Sequence, residues 1–179
     1  MRLSTLMSAT VALGPVFVFA LTAANASPGH ETPNIGQSGD VSLVDRVVEV
    51  DMGEMYFAPN SYEFERGETV RFVLKNSGRV VHEFAIGTDE MQDAHAQEMR
   101  VMMREGMITP RKLRHDRMRE AGMMHVDANA RLLEPGAAAE LVWTFSGEQD
   151  ELIFACNVPG HRDAGMEATA VIGGGKGES

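Results

Sequence analysis

The chain has 179 residues, and 26 acidic against 16 basic side chains give a formal net charge of −10. Such a balance offers no basic surface for nucleic acid. A single cysteine, Cys156, excludes an internal disulfide, so a free thiol in this chain needs another reason to exist.

Residues 1–26 read as an export signal, with Arg2 near the start, an apolar stretch over 11–21 and Ala24-Asn25-Ala26 as a small-residue cleavage site. Losing Arg2 with it takes the net charge from −10 to −11. No later segment approaches about 20 consecutive apolar residues, so no membrane span is expected after cleavage. An exported, periplasmic and monomeric protein is the expectation. The remaining chain, roughly 150 residues, fits one domain with a core and one large insertion.

Residues 27–40 carry Pro28, Gly29, Pro33, Gly36 and Gly39 and read as a flexible leader, in which His30 is a solvated side chain. Strand-like runs follow. Residues 44–52 are β-branched and partly alternating, and 68–75 place Val70, Phe72 and Leu74 on one face. Asn76-Ser77-Gly78 supplies a turn. The next run, 80–86, puts His82 on the inward face with Phe84 and Ile86, and turns Glu83 the other way.

Residues 88–131 form the insertion. Its halves, 89–105 and 110–125, lack β-branched density and predict two short helices, broken at Gly106 and Thr109-Pro110. Eight of the 13 methionines lie here, and Met91, His95, Met99 and Met103 align at helical spacing. Two chemistries fit that stripe: a flap packing through adaptable thioethers, or a soft-metal surface that also draws on His115 and His125. The basic run 111–119 reads as a solvated helix face.

After the insertion, 140–145 aligns Leu141, Trp143 and Phe145, and 151–156 aligns Leu152, Phe154 and Cys156. Residues 168–172 form a last strand, and 174–179 a flexible tail. Short strands separated by turn signals, without alternating helices, predict an all-β fold built as an antiparallel sandwich over 41–173.

Cys156, His161 and Met166 follow the 151–156 strand at intervals of five, with Pro159-Gly160 turning the chain between thiolate and imidazole. Taken singly, Cys156 could be a small buried hydrophobe, Met166 a gap filler and His82 a satisfied core histidine. Together they match a copper centre, because a His2Cys plane with a weak axial Met is an electron-transfer ligand set. A fold-held site suits such chemistry, since fast exchange requires little rearrangement between Cu(I) and Cu(II).

The segment 154–166, with Val81-His82-Glu83-Phe84, resembles the cupredoxins, the small type 1 copper proteins that include plastocyanin, azurin and rusticyanin. The Cys-x4-His-x4-Met spacing is similar to rusticyanin's and one residue longer before Met than azurin's. The resemblance covers roughly 41–172 apart from the insertion. It implies a Greek-key β-sandwich holding one copper per chain, with His82, Cys156 and His161 as strong ligands and Met166 as the axial one. The run 51–59, the segment 66–72 and the Met-rich insertion resemble one subgroup, the periplasmic cupredoxins of bacterial copper tolerance. One departure stands out: many blue copper proteins follow the first histidine with Asn, which helps restrain the cysteine sulfur, and here Glu83 follows.

Three functions compete. An electron carrier would exchange electrons with an exported redox partner, a cytochrome or a copper enzyme. A copper-handling protein would buffer or oxidise Cu(I). Enzymatic turnover is not expected, because copper oxidases and nitrite reductases need a second histidine cluster, and His30, His95, His115 and His125 include no His-x-His pair.

Overall fold

A computed structural model describes residues 33–124 and 127–175. The expected export signal, His30, His125 and residues 176–179 lie outside the described residues. No helix among those described is long and apolar enough to cross a membrane.

The strands are β1 (Gln37–Ser38), β2 (Arg46–Gly53), β3 (Tyr56–Ala58), β4 (Ser61–Arg66) and β5 (Thr69–Asn76), then β6 (His82–Gly87), β7 (Ala130–Leu133), β8 (Ala138–Thr144), β9 (Glu151–Ala155) and β10 (Glu167–Gly175). Two five-stranded sheets result, one ordered β1-β8-β5-β2-β3 and the other β4-β10-β9-β6-β7. The connections jump between sheets, as in a Greek-key sandwich. The sheets are mixed rather than purely antiparallel, because β2 pairs β5 in parallel and β10 pairs β4 in parallel. Parallel neighbours need a crossover connection, which here passes through the opposite sheet.

Alternation in β5 sends Val70, Phe72 and Leu74 inward with no exposure, where they meet Leu141 and Trp143 of β8. Aromatic rings fill the space between the sheets. Phe64 stacks on Phe145 with centroids 4.4 Å apart, while Phe72 meets Phe154 edge to face at 5.6 Å. Offset and edge-to-face contacts of this kind add to area burial.

The second half of the expected leader is built into the sandwich. Gln37 and Ser38 pair with Thr144 and Trp143, Ile35 is buried, and the Trp143 indole donates to the Ile35 carbonyl at 3.2 Å. A buried indole N–H requires such an acceptor, and the leader supplies it. At the other end, β10 runs to Gly175, past the expected start of the tail.

The insertion holds α1 (Asp89–Arg104) and α2 (His115–Glu120). Thr88 caps α1, accepting from the Met91 N–H, and Asp89 and Glu90 in its first turn favour the helix dipole. The second helix is shorter than expected because 108–113 forms a turn. Lys112 N–H donates to Thr109 Oγ1 at 3.0 Å, and Ile108 bridges Leu113. Residues 130–131, expected at the end of the insertion, begin β7, which pairs with β6.

Candidate metal centre

His82 opens β6, and Cys156 follows β9 directly. The antiparallel register of these strands, Ala85 opposite Ala155, carries both side chains to one end of the sandwich. Asn76, fully buried, donates to the carbonyls of Val80 and Leu133 at 2.8 and 2.9 Å, while the Gly78 N–H donates back to its Oδ1. These bonds hold the loop leading into His82. Gly78 passes so close to the ring that a Cβ there would lie 2.8 Å from His82 Nε2.

The loop after Cys156 closes on itself. His161 N–H donates to the Val158 carbonyl, Met166 N–H to the His161 carbonyl, and Cys156 N–H to the Met166 carbonyl, at 3.0, 3.0 and 3.1 Å. Gly160 has φ +87°, a left-handed conformation that a side chain would strain. Two of the three loop residues, Cys156 and His161, converge with His82 of β6.

His82 Nδ1 lies 3.2 Å from His161 Nδ1, and Cys156 Sγ lies 3.3 Å from the same His161 nitrogen. The ligating atoms of His82, Cys156 and His161 all fall within 4.8 Å of one another. Met166 is fully buried at the end of the loop.

Electrostatics fit a soft cation. Burial, with the neighbouring His161, lowers His82 to about 4, and burial lowers His161 as well, so both imidazoles are neutral and able to ligate. Burial pushes the Cys156 thiol up to about 12, against the opposing N–H donation from Glu83. A metal cation beside the sulfur reverses that balance, because the thiolate is the ligand. One thiolate, two neutral imidazoles and a thioether nearby form a donor set suited to copper.

The surroundings of Glu83 were not legible in the sequence. The residue points away from the centre, as expected, yet it is 3% exposed because α1 covers that face. Its carboxylate accepts from His95 Nε2 at 2.9 Å and from the N–H and Nδ2 of Asn157 at 3.2 and 3.1 Å. Asn157 and Gln92, both buried, were also missed. They are polar groups spent inside the fold, and no local pattern marks them.

The methionine stripe packs inward. Met99, Met102, Met107 and Met118 are buried, and Met91 and Met103 pack against the core. Between the helices and β7 lies a cleft of about 240 Å³, lined by His95, Met99, Met102, His115, Met118 and Met124 among others.

A Greek-key sandwich with a buried His-Cys-His cluster at one end defines a cupredoxin. The match to a family model agrees: residues 44–173 fit the copper binding proteins of the plastocyanin/azurin family, and the chain belongs to that family. Copper is therefore its cofactor. The chain is 41% identical over 172 residues to the copper-resistant cuproprotein CopI of Pseudomonas aeruginosa, covering 90% of this chain and 92% of that protein. It is 37% identical over 166 residues to the copper-resistant cuproprotein CopI of Rubrivivax gelatinosus, covering 84% and 88%. Among solved structures, auracyanin B superposes with a TM-score of 0.56 at 18% identity, covering 79% of this chain and 96% of that one. Dithionite-reduced auracyanin from Roseiflexus castenholzii gives 0.51 at 18% identity, covering 73% and 98%. These two likenesses concern the fold.

Proposed function

We propose that this protein is an exported, periplasmic carrier of one type 1 copper, bound by His82, Cys156 and His161 with Met166 axial, which transfers single electrons in copper tolerance or respiration. The observation that carries the reading is the convergence of the three donors within 4.8 Å in a buried, fold-held pocket. When bound, copper supplies a one-electron couple. The chain supplies two neutral imidazoles and a thiolate pinned by backbone bonds, so little reorganises between oxidation states. The acidic body suits a basic docking face on a redox partner, a cytochrome or a copper enzyme. No substrate-binding copper accompanies the centre in this reading, so the protein acts as a carrier and not an enzyme. Voltammetry of the copper-loaded protein tests it: a reversible one-electron wave is expected, and a centre that is never reoxidised refutes it.

A second reading draws on the thioether-lined cleft. There the protein buffers or sequesters Cu(I), and the names of the CopI relatives favour a role in copper resistance. This reading expects more than one Cu(I) per chain, with the excess lost when Met99, Met102 and Met118 are changed to Leu. A stoichiometry of one in the unmodified protein refutes it. Unchanged growth of a deletion strain in copper counts against tolerance under either reading.

A further inference from the structure

Each strong-ligand candidate has a neighbour in sequence that is tied to α1 or to a residue α1 holds. Beside His82, Glu83 accepts from His95 of α1. After Cys156, Asn157 donates through Nδ2 to Gln92 Oε1 of α1 at 2.7 Å, as well as to Glu83. After His161, Arg162 donates to Asp93 at 2.8 Å and to Asp89. Gln92 is itself fixed, donating to the carbonyls of Ala85 and Ile153 at 2.9 Å each.

Glu83 joins these contacts to the sulfur. Its backbone N–H donates to Cys156 Sγ at 3.3 Å, and its side chain grips the next residue, Asn157, at two points. A carboxylate this deeply buried costs several kcal/mol unless it is paired and hydrogen-bonded. His95 provides the pairing. Burial lowers its pKa, but the hydrogen bond and charge of Glu83, helped by Glu98 and Asp127, outweigh that and hold it at about 9. Such outer hydrogen bonds orient metal ligands and tune the metal they hold.

We propose that Glu83 is a positioning residue for the copper thiolate and that α1, through His95 and Gln92, is a structural part of the copper centre. In this arrangement a glutamate braced by an inserted helix restrains the cysteine sulfur. The proposal rests on Cys156 being a copper ligand.

The test compares copper-loaded full-length wild type, Glu83→Gln, His95→Gln, Asn157→Ala and the Glu83→Gln/His95→Gln double variant. The readouts are visible absorption, reduction potential and copper content, with amide hydrogen exchange of the metal-free forms. Glu83→Gln and Asn157→Ala are expected to alter the intensity ratio of the thiolate-to-copper bands and shift the potential, with one copper retained. His95→Gln shifts both in the same direction by less, and the double variant goes no further than Glu83→Gln. In the metal-free Glu83→Gln protein, the Asn157 amide exchanges about tenfold faster, the equivalent of one hydrogen bond. Wild-type bands and potential in all variants, with only a lower melting temperature, overturn the proposal. A wild-type protein with no thiolate-to-copper band overturns the ligand assignment and the proposal with it. If Glu83→Gln does not fold, His95→Gln, whose side chain is partly exposed, decides by the same readings.

Discussion

His82 Nδ1 and His161 Nδ1 face each other at 3.2 Å although the residues stand 79 positions apart. A neutral imidazole offers one donor and one acceptor nitrogen, so the pair could make at most one hydrogen bond there. With Cys156 Sγ 3.3 Å from the same His161 nitrogen, the three atoms are placed as lone pairs around a shared cation.

Gly78→Ala is expected to disturb this placement from outside it. The added methyl would lie 2.8 Å from both His82 Nε2 and Glu54 Oε1, so the ring or the loop must give way. Overpacking of this kind costs about 1–3 kcal/mol, which is a loss of roughly 5-fold to 150-fold in copper affinity if it falls on the bound state. Competition titration against a chelator measures it.

Met166→Leu should keep the copper and raise its reduction potential. Leucine fills much of the same buried volume but removes the thioether, and the axial donor is one of the levers on such a potential. Voltammetry of the variant beside wild type reads the shift, and an unchanged potential argues against an axial role.

Phe72→Ala probes the core that holds the centre. Phe72 is fully buried and touches the rings of Tyr62, Phe64, Phe84, Phe145 and Phe154. Truncation should cost about 3–5 kcal/mol in denaturant unfolding of the metal-free protein.

The His95–Glu83 pair makes stability depend on pH. His95 titrates near 9 when folded, above its ordinary value of 6.5, so folding is favoured by the bound proton. That contribution is complete below about pH 6.5 and disappears as the pH rises through about 9. Chemical denaturation of the metal-free protein across this window should show falling stability, and His95→Gln should flatten the slope.

Much of the sandwich is legible in the chain because alternation of large apolar residues survives in β2, β5, β6, β8 and β9. Tyr56–Ala58 is too short to show a period, and Ala130–Leu133 reads as the end of the insertion until β6 gives it a partner. The parallel pairing of β2 with β5 is set by the crossover between sheets, which no local pattern encodes. Within the centre, Cys156, His161 and Met166 are legible because one loop carries them, and His82 because it shares a strand face with Phe84. The burial of Glu83 was not, since alternation only turns it away from His82, and the contact with His95 of α1 that makes that face interior leaves no local pattern.

The most direct test of the copper centre is the visible absorption spectrum of the copper-loaded protein beside that of Cys156→Ala. Intense thiolate-to-copper absorption is expected in the wild type and none in the variant. A wild type without such absorption, or a variant that retains it, rules out Cys156 as the thiolate ligand of the copper.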